Sequence, residues 1–532
     1  RSVMSVKDKI VSFLKCNWKH IAALLAVVIY CIGQYIYIAV SAIGDKERGM
    51  DATQIMTIIV VTLISILLIV VYCLIFIVKN VKIEYLFLVI ASFMMVIFLL
   101  IMPEYETPDE TGHLGTAYDV SNHLMGYGHS ETNHLIMRKC DADTVDNIYS
   151  TSYTRDSYNA YIGQLVHPDK VNNEMVEPSQ STVFDTYHYQ YILPALWITF
   201  ARLIHMPSVW MLLLGAMVNS IIYIACSFYA IKKIPYNKAT LVCVTLFPMV
   251  LQQVTSYSYD VYILSLAYVL IALTFKFITD GVLSKSEIVI LCVTALLFAP
   301  LKSFAYAPML LLIIIPLIKW RKKYKKLLIA VSSVIGVAVV AMVVYIIVSY
   351  SAGSSTETGE AAKHMVSWAD SEGYTLGYIL QHKSLALKVI SNTFLYKTDM
   401  YINTLLGNTL GWFTIGMPTF IVYTLGLMAV FASLRKENEE MMIDGWSKLG
   451  VMIVSLMVIC CVIGGMWIAW TPITYTSVEG VQGRYFLPIV LLLMMVFRTK
   501  YMSAKPFMDK VAIMISVYMQ PLVILHILKM LA

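Results

Sequence analysis

The chain has 532 residues, 59% of them hydrophobic and 14% charged, with a mean hydropathy of +0.73. Soluble domains carry about 25% charged residues, so this composition excludes a soluble globular protein and predicts an all-α polytopic membrane protein. The formal net charge of +6 sits mostly in turns between apolar runs, where basic residues set orientation, and it does not point to nucleic acid.

Residues 1–19 are basic and amphipathic, with no small-residue cleavage site after them, and are expected to stay as a cytoplasmic tail. Apolar windows long enough to cross a bilayer follow at 21–43, 53–78 and 85–102. The polar stretch 103–187 is rich in Asp, Asn, His and Tyr. It is too long for a connecting turn and is expected to fold as an outer subdomain. Residues 187–205 are aromatic and amphipathic and read as a helix lying along the membrane surface.

Further spans are expected at 209–230, 240–256, 261–278, 288–301, 305–318, 327–350, 418–434, 449–467, 486–497 and 511–528. That makes roughly thirteen helices, the pair 288–318 being short enough to dip and return. The chain divides into 1–83, a tail with two N-terminal spans; 84–350, a core with outer loop 103–207; 351–417, a second outer loop; and 418–532, the C-terminal spans.

With this scheme Lys232, Lys233, Lys238, Lys276, Lys285, the basic run 319–326, Arg435, Lys436, Arg498, Lys500 and Lys505 fall on one side. The two long polar segments fall on the other, which makes the basic side cytoplasmic. Of nine cysteines only Cys140 lies outside, so no disulfide framework is expected there. The chain has no Walker A loop, no dinucleotide fingerprint and no internal repeat of the kind that builds many transporters.

Where the third span ends stands Thr107-Pro108-Asp109-Glu110-Thr111-Gly112-His113. Asp109 and Glu110 lie four and three positions before His113, which puts each pair on one helix face. Two readings follow. Thr107-x-x-Glu110 is a capping box with Pro108 at the first helical position. Equally, the carboxylates and the imidazole are proton-transfer and metal-ligand groups; Asp109, which the box does not need, is the better catalytic candidate. Three further ionisable residues, Asp260, Lys302 and Arg484, reach the same outer rim. Each has a plain alternative, a helix cap for Asp260 and a headgroup contact for the two cations. Together they suit an anionic ligand, Arg484 and Lys302 having the chemistry to hold a phosphate.

Several stretches together resemble a bacterial multi-span family, long known as a domain of unknown function and grouped by fold with the GT-C membrane glycosyltransferases. They are Pro108-Asp109-Glu110-Thr111-Gly112-His113, Tyr187-His188-Tyr189-Gln190-Tyr191, Leu246-Phe247-Pro248-Met249, Ser258-Tyr259-Asp260, Leu301-Lys302, Gly411-Trp412 and Gln482-Gly483-Arg484-Tyr485-Phe486-Leu487-Pro488. The resemblance implies a GT-C-like bundle in the bacterial plasma membrane. It implies transfer of a sugar from a polyprenyl-phosphate carrier to an outward-facing acceptor such as a cell-envelope glycan, a teichoic acid or a glycolipid.

On that reading Asp109 is the general base, with Glu110 and His113 beside it as further catalytic candidates. Arg484, then Lys302, receive the donor phosphate, and Asp260, Tyr259, Gln482, Tyr485 and Trp412 bind substrate. Phe304, Tyr306 and Trp412 are expected along a groove for the donor lipid. Glu110 and His113 form a Glu-x-x-His pair able to ligate a divalent ion such as Mg or Mn, the one candidate cofactor. The rival classes are a flippase or exporter of lipid-linked sugars and a noncatalytic envelope-assembly protein. Sugar transfer by the purified protein separates the first from the enzyme reading.

Overall fold

The computed structural model describes residues 52–530 apart from 79–80, 105, 129–133, 147–152, 180–182, 184–187, 354–364, 438 and 440–442, with scattered residues between 18 and 36; for 338–353 it describes the backbone. The expected tail, most of the first span and the turn 44–51 fall outside the described residues.

Helix α1 (Ala52–Tyr72) continues through a π turn, Cys73–Ile77, and packs on α2 (Ile83–Ile101). The last turn of α2 exposes carbonyls with no partner in the helix. Three tyrosines take them up: Tyr161 donates to Leu99 C=O at 3.4 Å, Tyr158 to Leu100 C=O at 2.8 Å and Tyr153 to Ile101 C=O. Tyr158 and Tyr161 belong to α4 (Arg155–Val166), which follows α3 (Glu110–Leu124) in the long polar segment. Asn159 of α4 also accepts from both the amide and the hydroxyl of Thr53, at 3.0 and 2.8 Å, tying α1 to the same segment.

The polar segment is held together, and to the helix that starts at Ser208, by buried polar contacts. Arg138 grips Asp141 through Nε at 2.7 Å and Nη2 at 2.9 Å, and Tyr118 and Ser208 donate to the same carboxylate at 2.6 Å each. A buried ion pair of this kind persists because its lone pairs are filled. Helix α5 (Ile192–Leu203) turns Ile192, Leu193, Leu196, Phe200 and Leu203 outward and Ala195, Ile198 and Ala201 inward. Its buried Arg202 donates to Ser121 and Asn122 of α3 at 2.9 Å and lies over the Tyr118 ring. An apolar outer face on a helix of about 18 Å fits the expected surface helix, too short to span.

After α6 (Ser208–Lys233) comes a departure. The expected span 240–256 is two half-helices, α7 (Lys238–Thr245) and α8 (Pro248–Val254). Pro248 has no N–H and cannot continue a helix, so it sits at the first position of α8. The break leaves the Leu246 carbonyl without a helical partner, and Gln520 donates to it at 2.9 Å. Both half-helices are almost wholly buried.

Helix α9 (Asp260–Asp280) follows, then α10 (Lys285–Phe298), a 3-10 turn at Ala307–Ile313, α11 (Ile314–Lys319) and α12 (Arg321–Gly353), kinked at Tyr324. The second long polar segment carries an unexpected 24-residue helix, α13 (Lys383–Leu406). Helices α14 (Thr419–Ser433), α15 (Gly445–Trp470), α16 (Leu487–Phe497) and α17 (Met508–Met530) complete the chain.

Among the described residues six helices are long and apolar enough to cross a membrane: Thr53–Phe76, α2, α6, α9, α15 and α17. Helices α10, α14 and α16, of 14, 15 and 11 residues, reach only about 17–23 Å against a hydrocarbon core of about 30 Å. Among the described residues this all-α membrane protein has six helices of crossing length and several shorter apolar segments; of the roughly thirteen expected helices, the first, 21–43, lies mostly outside those residues, and the side chains of α12 are described only as far as 337.

Charge is sorted to the two ends. At one end Glu287 accepts from Lys233 and Lys276 at 2.6 Å each, Lys436 pairs with Asp509 at 2.7 Å, and Arg498 reaches Asn237 and Glu439. The 21 residues of α9 carry the chain about 30 Å from that end to Asp260 at the other.

Candidate functional site

Much of the Asp260 end is hung from one short stretch, 252–260, which runs from the last turn of α8 to the first residue of α9. Tyr257 is driven inward there because α6 has a glycine opposite: a Cβ at Gly215 would stand 1.9 Å from the Tyr257 hydroxyl. That hydroxyl donates to Leu212 C=O at 3.0 Å, and the Tyr257 amide donates to Glu110 Oε1 at 2.8 Å. The other oxygen of Glu110 accepts from the Thr107 amide at 3.2 Å. The expected capping box is therefore half correct. Its reciprocal arm forms, but helix α3 begins at Glu110 and not at Pro108, with Asp109 as the flanking residue. Glu110 is fully buried with each oxygen on a backbone N–H, so it is a strut between α3 and the 257 turn.

Asp109 has left-handed backbone angles, φ 68° and ψ 4°. That conformation costs a non-glycine residue roughly 1–2 kcal/mol, and it turns the side chain out of the helix start. Its carboxylate is 47% exposed and meets Arg484, whose side chain is 3% exposed, at 2.8 Å. The two residues are 375 positions apart. Arg484 Nη1 also donates to the Pro108 carbonyl and to Gln253 Oε1, each at 3.3 Å. Its Nε is buried, has no hydrogen-bond partner among the described residues and lies 3.9 Å from Asp260 Oδ2.

Lys302 completes the group. It opens a run of three left-handed residues, Lys302, Ser303 and Phe304, between α10 and the 3-10 turn. Its Nζ lies 4.0 Å from Asp260 Oδ1 and 3.1 Å from the centroid of the Tyr485 ring, a close cation–π contact. Asp109, Arg484, Asp260 and Lys302 thus alternate in sign along one line. Behind them is a narrow crevice, too tight to hold a water molecule, lined by Gln253, Asp260, Tyr306, Arg484, Leu487 and Pro488 among others.

His113, one turn into α3, is buried, with Nδ1 2.8 Å from the Tyr191 hydroxyl and Nε2 3.4 Å from Ser258 Oγ. The Tyr259 ring meets it edge-on at 4.8 Å. Burial pushes its pKa down to about 3; Asp260 opposes that, and Arg484 and Lys302 add to it. The imidazole is held toward its neutral form, and its two ring nitrogens face the hydroxyls of Tyr191 and Ser258. Among the described residues no group of three or more His, Cys, Asp or Glu stands ready to hold a metal ion. Glu110 and His113 share a helix face as their spacing predicts, but Glu110 is already bound on both oxygens.

The remaining expected residues surround this centre. Tyr259 lies between His113 and Lys302, its ring 5.9 Å from Lys302 Nζ. Tyr485 carries Lys302 on its ring and accepts from the Tyr306 hydroxyl through its carbonyl at 2.9 Å. Gln482 precedes the turn Gly483–Phe486, and its Oε1 is buried with no hydrogen-bond partner among the described residues. Trp412 is exposed at the tip of a small hairpin, Thr409–Leu410 paired with Ile415–Gly416. Of the three side chains expected along a groove, Phe304 and Trp412 are exposed and Tyr306 is buried behind Tyr485.

Some residues of the site went unread in the sequence. Gln252 accepts from the Gly411 amide at 3.1 Å and donates to the Glu106 carbonyl at 3.3 Å, so it hangs the Trp412 hairpin on the carboxylate loop. Gln253, beside it, holds Arg484. Two adjacent glutamines inside an apolar run were the available signal. Glu106 is a second such residue: burial, with Glu110 adding to it, pushes its carboxyl up to about 8. The density of acids at 104, 106, 109 and 110 marked it.

No curated protein and no solved structure matches the chain. The sequence model of one family does match, over residues 92–493. That stretch starts within α2, contains every residue of the charged line and ends in α16. On this match the chain belongs to the predicted membrane protein family DUF2142.

Proposed function

We propose that this protein is a membrane glycosyltransferase that moves a sugar from a polyprenyl-phosphate-linked donor to an acceptor outside the bacterial plasma membrane. The observation that carries the reading is the Asp109–Arg484 contact: a half-exposed carboxylate 2.8 Å from a buried guanidinium. It lies at the end of the bundle opposite the basic rim, which is the outer end by the distribution of lysine and arginine. A carboxylate open to solvent suits a general base. Fixed cations at headgroup depth suit a phosphate that leaves while its lipid tail stays in hydrocarbon.

In this mechanism Asp109 takes the proton of an acceptor hydroxyl. The hydroxyl oxygen bonds to the anomeric carbon as the bond from that carbon to the donor phosphate oxygen breaks, with inversion. The phosphate keeps the electron pair and is met by Arg484, with Lys302 behind. Tyr259, Tyr485, Gln482 and Asp260 border the reacting sugar, and Trp412 and Phe304 stand where the donor lipid or the acceptor enters. Glu110 and His113 hold α3 and the 257 turn in register. The acceptor is a cell-envelope glycan, a teichoic acid or a glycolipid.

The test is transfer by protein purified in detergent, from labelled polyprenyl-phosphate sugars to envelope acceptors. Asp109→Asn should still bind donor and lose roughly 100-fold or more in rate. Transfer at the wild-type rate by that variant would exclude the base, and no transfer by the wild type across donors would favour a lipid-linked sugar flippase.

A further inference from the structure

The charged line at the site is complete without a ligand. It holds two cations, Arg484 and Lys302, and two carboxylates, Asp109 and Asp260, with every neighbouring pair within 4.0 Å. An arriving phosphate adds negative charge to a place that is already balanced. Buried charges are tolerated only when paired, so the phosphate must take the position of one carboxylate.

The two carboxylates differ in how firmly they are held. Asp260 has 12% of its side chain exposed and is the first residue of α9, its amide on Ser258 Oγ at 3.2 Å. It faces both cations, Arg484 Nε at 3.9 Å and Lys302 at 4.0 Å. Asp109 is 47% exposed, stands at a loop-to-helix junction and touches Arg484 through one oxygen. Arg484 is itself only partly used. On its Nε–Nη2 edge, Nη2 is bonded to Asp109, while Nε is buried and, among the described residues, makes no hydrogen bond, its ionic neighbour Asp260 standing back at 3.9 Å. That edge is the one a phosphate takes with two parallel hydrogen bonds.

We propose that Asp109 is the resting occupant of an anion site on Arg484, and that a phosphate-bearing lipid binds by displacing its carboxylate. Displacement does two things at once. It gives the phosphate the guanidinium edge, and it frees Asp109 on the solvent side, where an acceptor hydroxyl arrives. The base is therefore idle until the donor phosphate is seated. This rests on the phosphate-binding half of the proposed function and not on sugar transfer.

The experiment is equilibrium binding of a sugar-free polyprenyl phosphate to the full chain in detergent, with inorganic phosphate as a second ligand. Asp109→Asn removes the competing charge and keeps the shape. It should bind the lipid phosphate roughly tenfold or more tightly than wild type. Arg484→Lys should bind more weakly than wild type, with its melting temperature recorded to separate lost binding from lost fold. Asp260→Asn should give a smaller gain than Asp109→Asn. If inorganic phosphate shows the same order, the phosphate group alone is the ligand; if only the lipid does, the tail is part of recognition. Binding by Asp109→Asn equal to or weaker than wild type overturns the proposal. Because no sugar is present, tighter binding by a protein that transfers nothing would keep the anion site and remove only the transferase reading.

Discussion

Gly483→Ala is the change that most directly tests how Arg484 is held. A Cβ at Gly483 would stand 1.8 Å from the Tyr401 carbonyl oxygen, 2.4 Å from the Leu405 amide nitrogen and 2.6 Å from Thr404 Oγ1. Two of those atoms are backbone of α13, so no side-chain rotation relieves the clash. The turn carrying Arg484 must instead retreat by about an ångström or more from α13. Overpacking costs about 1–3 kcal/mol. The retreat also breaks the bond from the Gly483 amide to Thr404 Oγ1, 2.7 Å and buried, for about 1–3 kcal/mol more. A total of about 2–6 kcal/mol should lower the melting temperature in detergent by several degrees. The displaced guanidinium should bind phosphate lipid more weakly. Gly464→Ala on α15, where a Cβ meets nothing within 4 Å, is the control and should melt with wild type. Thr404→Val should reproduce the hydrogen-bond share of the loss. If Gly483→Ala melts and binds like the Gly464 control, the packing of α13 against the Arg484 turn is not as described.

Two more expectations follow from buried polar groups. Glu106 has a folded pKa of about 8 against an ordinary 4.5, so the folded protein holds a proton there that the unfolded chain has lost. Its contribution should make stability fall as pH rises from about 4.5 to about 8 and level off above, by up to about 5 kcal/mol. Glu106→Gln should flatten a melting curve taken across that window and raise the melting temperature at pH 8; a profile parallel to wild type would rule this out. Gln520→Leu should destabilise by about 1–3 kcal/mol, because the Leu246 carbonyl at the α7–α8 break loses the side chain that donates to it. Wild-type melting of that variant would mean the break is satisfied in another way.

Much of the architecture could be read from hydropathy alone. Spans such as Thr53–Phe76, α2, α6, α9, α15 and α17 announce themselves because lipid demands a run of apolar residues of a set length. That α5 is a short amphipathic helix and not a span was legible too, from its aromatic, amphipathic pattern and because leaving it out of the crossings puts Lys232, Lys233 and Lys238 with the other basic turns. The meeting of Asp109 and Arg484 came from orientation: once the lysine-rich turns share a side, both residues fall on the other. What hydropathy hides is a helix whose break is itself apolar. Leu246-Phe247-Pro248 passes any averaging window, and only the missing N–H of Pro248 betrays it. Helix α13 was hidden for the opposite reason, its apolar residues being spread around the axis and interrupted by Lys388, Asn392 and Lys397. The strut role of Glu110 was one of two readings of its motif. Its partner, the Tyr257 amide, lies 147 positions away, and no local pattern chooses between the two.

The three tyrosines on the end of α2 have a consequence for how the chain matures. They lie 52, 58 and 62 residues beyond the carbonyls they serve. When α2 first enters the bilayer its final turn must take hydrogen bonds from water or headgroups, and these are replaced only when that distant stretch has been synthesised and has folded against it. The seat of Asp109, a few residues past that turn, is therefore provisional until the polar segment closes over it. The segment is the last turn's missing half, not a detachable module, and trimming it to a short connector should leave a span with a frayed end and a carboxylate with no fixed address.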